Sequence, residues 1–96
     1  MTRRPYIRNE DRTSAGGQVA TPIRNDMLDG RIAAYEGDPV WCPQCGTYGT
    51  IGCAGLRHVE FGDGGKRPAL ADDLCLCECR PHPVLIPSQT SSFSGT

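Results

Sequence analysis

Six cysteines carry most of the chemistry this chain has to offer, and five of them fall into two tight groups. Cys42-Pro43-Gln44-Cys45 is a Cys-x-x-Cys, a spacing that lets two thiolates reach one ion while a tight turn offers backbone donors to the sulfurs. Cys75-Leu76-Cys77-Glu78-Cys79 alternates, so in a strand all three sulfurs would face the same side. Four thiolates bind Zn²⁺ tetrahedrally in a closed, structural site. The expected ligands are Cys42, Cys45 and Cys77, with Cys79 as the fourth; His82 is its main competitor and Cys75 stays open. A buried cysteine is also an ordinary small hydrophobe, and that is the reading preferred for Cys53 and Cys75. Residues 1–11 carry Arg3, Arg4 and Arg8 with no apolar stretch after them, so no Sec-type signal is expected. Without export the thiols meet a reducing compartment, which favours ligation over disulfides.

Other uses of these residues fare worse. A thioredoxin-like redox pair needs its first cysteine at a helix N-terminus, and Gly46-Thr47-Tyr48-Gly49-Thr50-Ile51-Gly52 will not make that helix. A zinc-ribbon-like module for nucleic acid or protein is the stronger alternative. Its cysteine pairs are normally 15–20 residues apart, whereas Cys45 and Cys77 enclose 31 and the second element is Cys-x-Cys. A net charge of −1 supplies no basic stripe, so no nucleic-acid partner is expected. His58 and His82 have no nucleophile in a recognisable setting. Asp72-Asp73 reads as a turn rather than a catalytic pair, and Gly62-Asp63-Gly64-Gly65 lacks the helix and lysine of a phosphate loop. No enzyme is expected.

The elements that must position the cysteines are short. In 96 residues there are twelve Gly and eight Pro, and only 17 Leu, Ile, Val or Phe, too few for a generous core. A metal or a partner surface is therefore an expected second source of stability. No apolar run approaches the ~20 residues of a membrane helix. Short apolar stretches such as Gln18-Val19-Ala20, His58-Val59-Glu60-Phe61 and Pro83-Val84-Leu85-Ile86 alternate with turn residues, the pattern of a small all-β domain. Only residues 27–35 could hold a short turn of helix, which Gly30 interrupts. We expect one domain over residues 1–87 and a flexible Ser/Thr-rich tail over 88–96.

An internal repeat organises the rest. Residues 30–42 align with 65–77 at an offset of 35, with Gly, Ala, Asp and Cys identical. A weaker copy, residues 6–15, aligns at an offset of 27: Asp11 matches Asp38 and Asp73, and Ala15 stands where the others have Cys42 and Cys77. Each unit reads as a strand, a turn at the acidic residue and a second strand. Three units suggest pseudo-threefold packing about one axis.

In this order and spacing the motifs resemble a known family. Ile32-Ala33-Ala34-Tyr35-Glu36-Gly37-Asp38 is similar to the Pro-Ala-Ala-Arg motif with its following Gly-Asp, and Pro68-Ala69-Leu70-Ala71-Asp72-Asp73 to its second occurrence. Glu10-Asp11-Arg12-Thr13-Ser14-Ala15-Gly16-Gly17 is similar to the opening Gly-Asp-x-Thr-Ser-His-Gly-Gly. The resemblance is to PAAR-repeat proteins of the bacterial type VI secretion system and covers roughly residues 6–86. It implies a small conical β domain with a metal-stapled point that caps the trimeric spike of valine-glycine repeat protein G. As partners it implies that trimer, bound by one copy of this chain, effector proteins as cargo, and transient contact with a target-cell membrane. It implies residence in the cytoplasm until the apparatus fires and delivery outward afterwards. The family's metal ligands are usually rich in histidine and converge from three copies. Ala15 and Cys45 depart from that pattern, so one ligand must come from elsewhere, and Cys79 is the simplest replacement. A thiolate-rich set favours zinc over oxygen-loving metals.

Overall fold

A computed structural model describes residues 4–55, 61–62, 65–89 and 92–94. Among them the chain forms ten short strands, numbered in chain order, and no α-helix. Six make the main sheet, in the order β8 (Leu74–Leu76), β7 (Thr47–Gly52), β6 (Pro39–Cys42), β3 (Gln18–Val19), β2 (Arg12–Thr13) and β9 (Leu85–Ile86), every neighbouring pair antiparallel. A bridge between Leu74 and Val84 brings the two ends together, so the sheet is nearly a closed barrel. Alternation does the sorting. Val19, Val40, Cys42, Ile51, Cys75 and Leu85 fill the interior, while Gln18, Trp41, Thr50, Leu76 and Ile86 face out. Trp41 and Tyr48 stand opposite each other on that outer face, rings edge-on at 5.2 Å. The barrel is too narrow for large side chains throughout. A Cβ on Gly49 would lie 2.6 Å from the Leu76 carbonyl oxygen.

The three copies expected from the sequence are three equivalent turns and hairpins. Asp11, Asp38 and Asp73 are buried, and each carboxylate accepts the backbone N–H three residues earlier, from Arg8, Tyr35 and Leu70, at 2.8–2.9 Å. The residue before each Asp is left-handed: Glu10 at φ 72°, Gly37 at 86° and Asp72 at 70°. A buried carboxylate needs a cation, and each has an arginine. Arg31 reaches Asp11 at 3.3 Å, Arg24 grips Asp38 through two bonds of 2.8 Å, and Arg4 meets Asp73 at 3.0 Å.

Just upstream of these turns the copies close on one another. Ile7 N–H donates to the Ala69 carbonyl (2.9 Å), Ala69 N–H to Ala34 (2.9 Å), and Ala34 N–H to Ile7 (3.0 Å). This is a ring of three main-chain hydrogen bonds about a pseudo-threefold axis, and all three residues are buried. Each hairpin leaves its Asp turn beside the ring and turns back at residues 14–17, 43–46 or 77–83. The ring and the hairpin tips therefore lie at opposite ends of the strands.

Residues 27–35, the one place where a helical turn could fit, follow the all-β pattern instead: β4 (Met27–Leu28) and β5 (Arg31–Ile32) form a hairpin across Asp29-Gly30. Both turn residues are left-handed, at φ 51° and 89°, which is the conformation an Asp-Gly two-residue hairpin turn requires. β10 (Phe93–Ser94) pairs with β1 (Arg4–Pro5). The Ser88 hydroxyl donates a very short bond to Asp11 and accepts from Arg8 at 2.9 Å, and the Gln89 amide reaches the Tyr6 carbonyl at 3.1 Å. Few apolar residues are needed, because buried backbone and charge offer the tail its partners. His58 lies outside the described residues, as does all of its expected strand except Phe61, which belongs to no strand.

Candidate metal centre

Hairpin tips, not strand faces, position the thiols. β6 ends at Cys42, and the chain reverses through Pro43, Gln44 and Cys45, closed by the Gly46 N–H on the Cys42 carbonyl at 2.8 Å. Gly46 takes φ 69°, a conformation open to glycine at little cost. On the neighbouring hairpin β8 stops at Leu76. The Cys77 N–H turns back onto the Cys75 carbonyl at 3.0 Å, and the Arg80 guanidinium clamps the loop by donating to the Cys77 and Cys79 carbonyls, both at 3.1 Å.

The four expected cysteines come together. One sulfur from each of Cys42, Cys45, Cys77 and Cys79 lies within 4.8 Å of all the others. Cys42 Sγ stands 3.6 Å from both Cys77 and Cys79, and Cys45 Sγ stands 3.0 Å from Cys79. Zinc–sulfur bonds of about 2.3 Å in a tetrahedron put sulfurs about 3.8 Å apart. Two of these edges are thus already near tetrahedral length, and the third opens by under an ångström. No disulfide joins the cysteines.

Protonation follows from the crowding. The Cys45 backbone N–H draws the Cys42 thiol down to about 7, against the opposing effect of burial and with help from the neighbouring thiols. Its hydrogen bond to Cys45 pushes Cys79 well up, and burial and Cys42 add to the rise. At Cys45 the contact with Cys79 pulls downward, but burial and the thiols of Cys77 and Cys42 outweigh it. One thiolate forms readily, and each further negative charge then meets those already there. A divalent cation would relieve that repulsion.

The alternatives for the fourth position separate clearly. Cys75 is fully buried beside Gly49 and outside the group of four; burial pushes its thiol up to about 12. Cys53 is half-buried and also outside it. His82 is not in the group, although its Nδ1 is buried without a partner among the described residues. It shares a cleft with Ser14, Ala15, Gln44 and Cys79, so Cys79 stands beside the Ala15 turn of the first copy. The four cysteines cluster by a different geometry from the one expected, since Cys77 and Cys79 lie beyond the end of the strand. Sequence reasoning missed Arg80, whose role leaves no spacing signal.

Comparison with known proteins agrees with this architecture. Residues 9–82 match the family model described as the PAAR motif. No curated protein and no solved structure gives a match. The matched segment runs from the first Asp turn into the thiol loop, and on that coverage the chain belongs to the PAAR motif family.

Proposed function

We propose that this protein caps the trimeric valine-glycine repeat spike of a type VI secretion system as a single copy, with its ring end against the spike and its thiol end forward. The observation that carries this reading is the closed ring of Ile7, Ala34 and Ala69. One chain with an internal pseudo-threefold axis can offer similar backbone edges to three identical spike subunits at once. Unpaired strand edges recruit partner strands by main-chain hydrogen bonds and ask little of side chains.

At the other end, Cys42, Cys45, Cys77 and Cys79 are proposed to hold one structural Zn²⁺. Their sulfur chemistry and spacing fit that ion, which when bound would tie two hairpin tips together and stiffen the narrow point. The protein works on this reading without a catalytic step, carried outward from the cytoplasm by the apparatus, with effectors as cargo attached to it. Co-expression with a trimeric spike protein and mass measurement of the complex tests the docking. Three spike chains to one of these is expected; three to three, or no complex with any such spike, overturns it. Elemental analysis should return one zinc per chain.

A further inference from the structure

A pocket of about 200 Å³ opens on the pseudo-threefold axis at the ring end. Its rim includes Tyr6, Ala33 and Pro68, the three equivalent residues that immediately precede the ring, and its floor is Ile7 and Ala34. The volume is on the scale of cavities that hold one benzene-sized molecule, about 150 Å³, so it suits one side chain and not a peptide.

The lining breaks the symmetry. Asp26 contributes a carboxylate to one part of the lining and Phe61 an aromatic ring to another. Tyr35 also lines the pocket, and its hydroxyl donates a very short hydrogen bond to Asp26. Tyr6, Tyr35 and Phe61 are half of the six aromatic residues in the chain. Asp26 has no ion pair among the described residues. The nearby Arg24 holds Asp38 and already lies over the Tyr35 ring, 5.1 Å from its centroid. A carboxylate without an ion pair at an apolar pocket wants a charged N–H donor, and Phe61 in the same lining is an aromatic neighbour that favours a cation.

We propose that this axial pocket binds one alkylammonium or alkylguanidinium group, supplied as a single lysine or arginine side chain by the partner that meets the ring end. Three identical spike chains present three copies of any side chain, and the asymmetric pocket accepts one. That would fix which of three near-equivalent rotations the docked chain adopts. Only the source of the side chain rests on the spike-capping reading.

The test is a titration of the isotope-labelled full chain, as purified, with n-butylammonium, followed by NMR at the Tyr35 and Phe61 rings. Saturable shifts are expected. Pentanoate should give none, and Asp26→Asn should weaken binding by about tenfold, the loss of a hydrogen bond to a charged group. Asparagine keeps an acceptor for Tyr35, so the fold should survive; Ala33→Leu, which fills the pocket from its rim, is a second variant expected to abolish binding. The proposal fails if no saturable shift occurs, if Asp26→Asn binds equally well, or if tetramethylammonium, which has no N–H, binds more tightly than butylammonium. This result is independent of spike docking. Probe binding without any three-to-one complex would sink the capping reading and leave the pocket standing, with its side chain from another partner. A complex that Asp26→Asn forms as tightly as the parent chain would overturn the pocket's role in docking.

Discussion

The two ends of the barrel are built by opposite rules. At the ring end, three copies contribute equally through backbone groups. Tyr6-Ile7-Arg8, Ala33-Ala34-Tyr35 and Pro68-Ala69-Leu70 share little beyond a small or apolar central residue, yet they make the same hydrogen bonds. At the thiol end two hairpins contribute two cysteines each and the third contributes none. Main-chain pairing tolerates sequence drift because every non-proline residue carries the same donor and acceptor. A cluster of side chains tolerates little: Cys79 stands beside the Ala15 turn, where the first copy has no thiol of its own.

The comparison is broken most severely at the thiol end. Cys42→Ser and Cys77→Ser should each lose the proposed ion and with it the cooperative thermal transition, since structural zinc is worth on the order of 10 kcal/mol to small domains. A strong chelator should act in the same way on the parent protein. An unchanged melt after chelation, with no metal found beforehand, removes the staple from the model. Acid should also release the ion, because protons compete for the thiolates as pH falls.

The Asp turns that brace the ring come next. Asp38→Ala and Asp73→Ala each strand a largely buried arginine and a backbone N–H, at a cost of about 3–5 kcal/mol by chemical denaturation. Arg31→Ala removes the cation beside the buried Asp11, but the arginine side chain is 41% exposed and Ser88 still donates to the carboxylate, so a smaller loss of about 1–2 kcal/mol is expected. Equal losses at all the turns would show that the ion pairs, and not the backbone bonds, set their strength.

Smaller effects sharpen the equivalence of the copies. Gly37→Ala places a side chain in a left-handed residue and should cost about 1–2 kcal/mol. Glu10→Gly and Asp72→Gly, at the matched positions, should each gain up to about 1 kcal/mol. Any other pattern of signs would mean that the three turns are less alike than their dihedrals. Smallest of all, Cys53→Ser should keep the metal and shift stability by no more than about 1 kcal/mol. Cys75→Ser should keep the metal too, with a somewhat larger loss from placing a hydroxyl in a buried site.

The features that the sequence made legible are those written locally. The repeated Asp marks a turn in which a carboxylate binds its own backbone three residues back, so its spacing survives in the text. The Cys groups are equally local. Their arginine partners are not: Arg4 and Arg31 keep the 27-residue offset of the first two copies, but each reaches the Asp of a different copy, and Arg24, which holds Asp38, lies outside that register. Gly30 marks a break against helix in the sequence, and the Asp29-Gly30 pair is the turn that it signals. The docking of Ser88 and residues 92–94 could not be read from composition, since serine is equally at home in a tail and against a buried carboxylate.

The ring of Ile7, Ala34 and Ala69 also governs when the molecule can fold. Its first member emerges from the ribosome early, but the ring cannot close until residue 69 has followed, and the thiol cluster waits for residue 79. At 5–20 residues per second, roughly 3–12 s of synthesis separate residue 7 from residue 69. Throughout that interval the first hairpin lacks β9, its flanking strand from the last copy. Contacts so distant in sequence make for slow, all-or-none folding, so fragments ending before the third copy should remain unstructured and open to proteolysis.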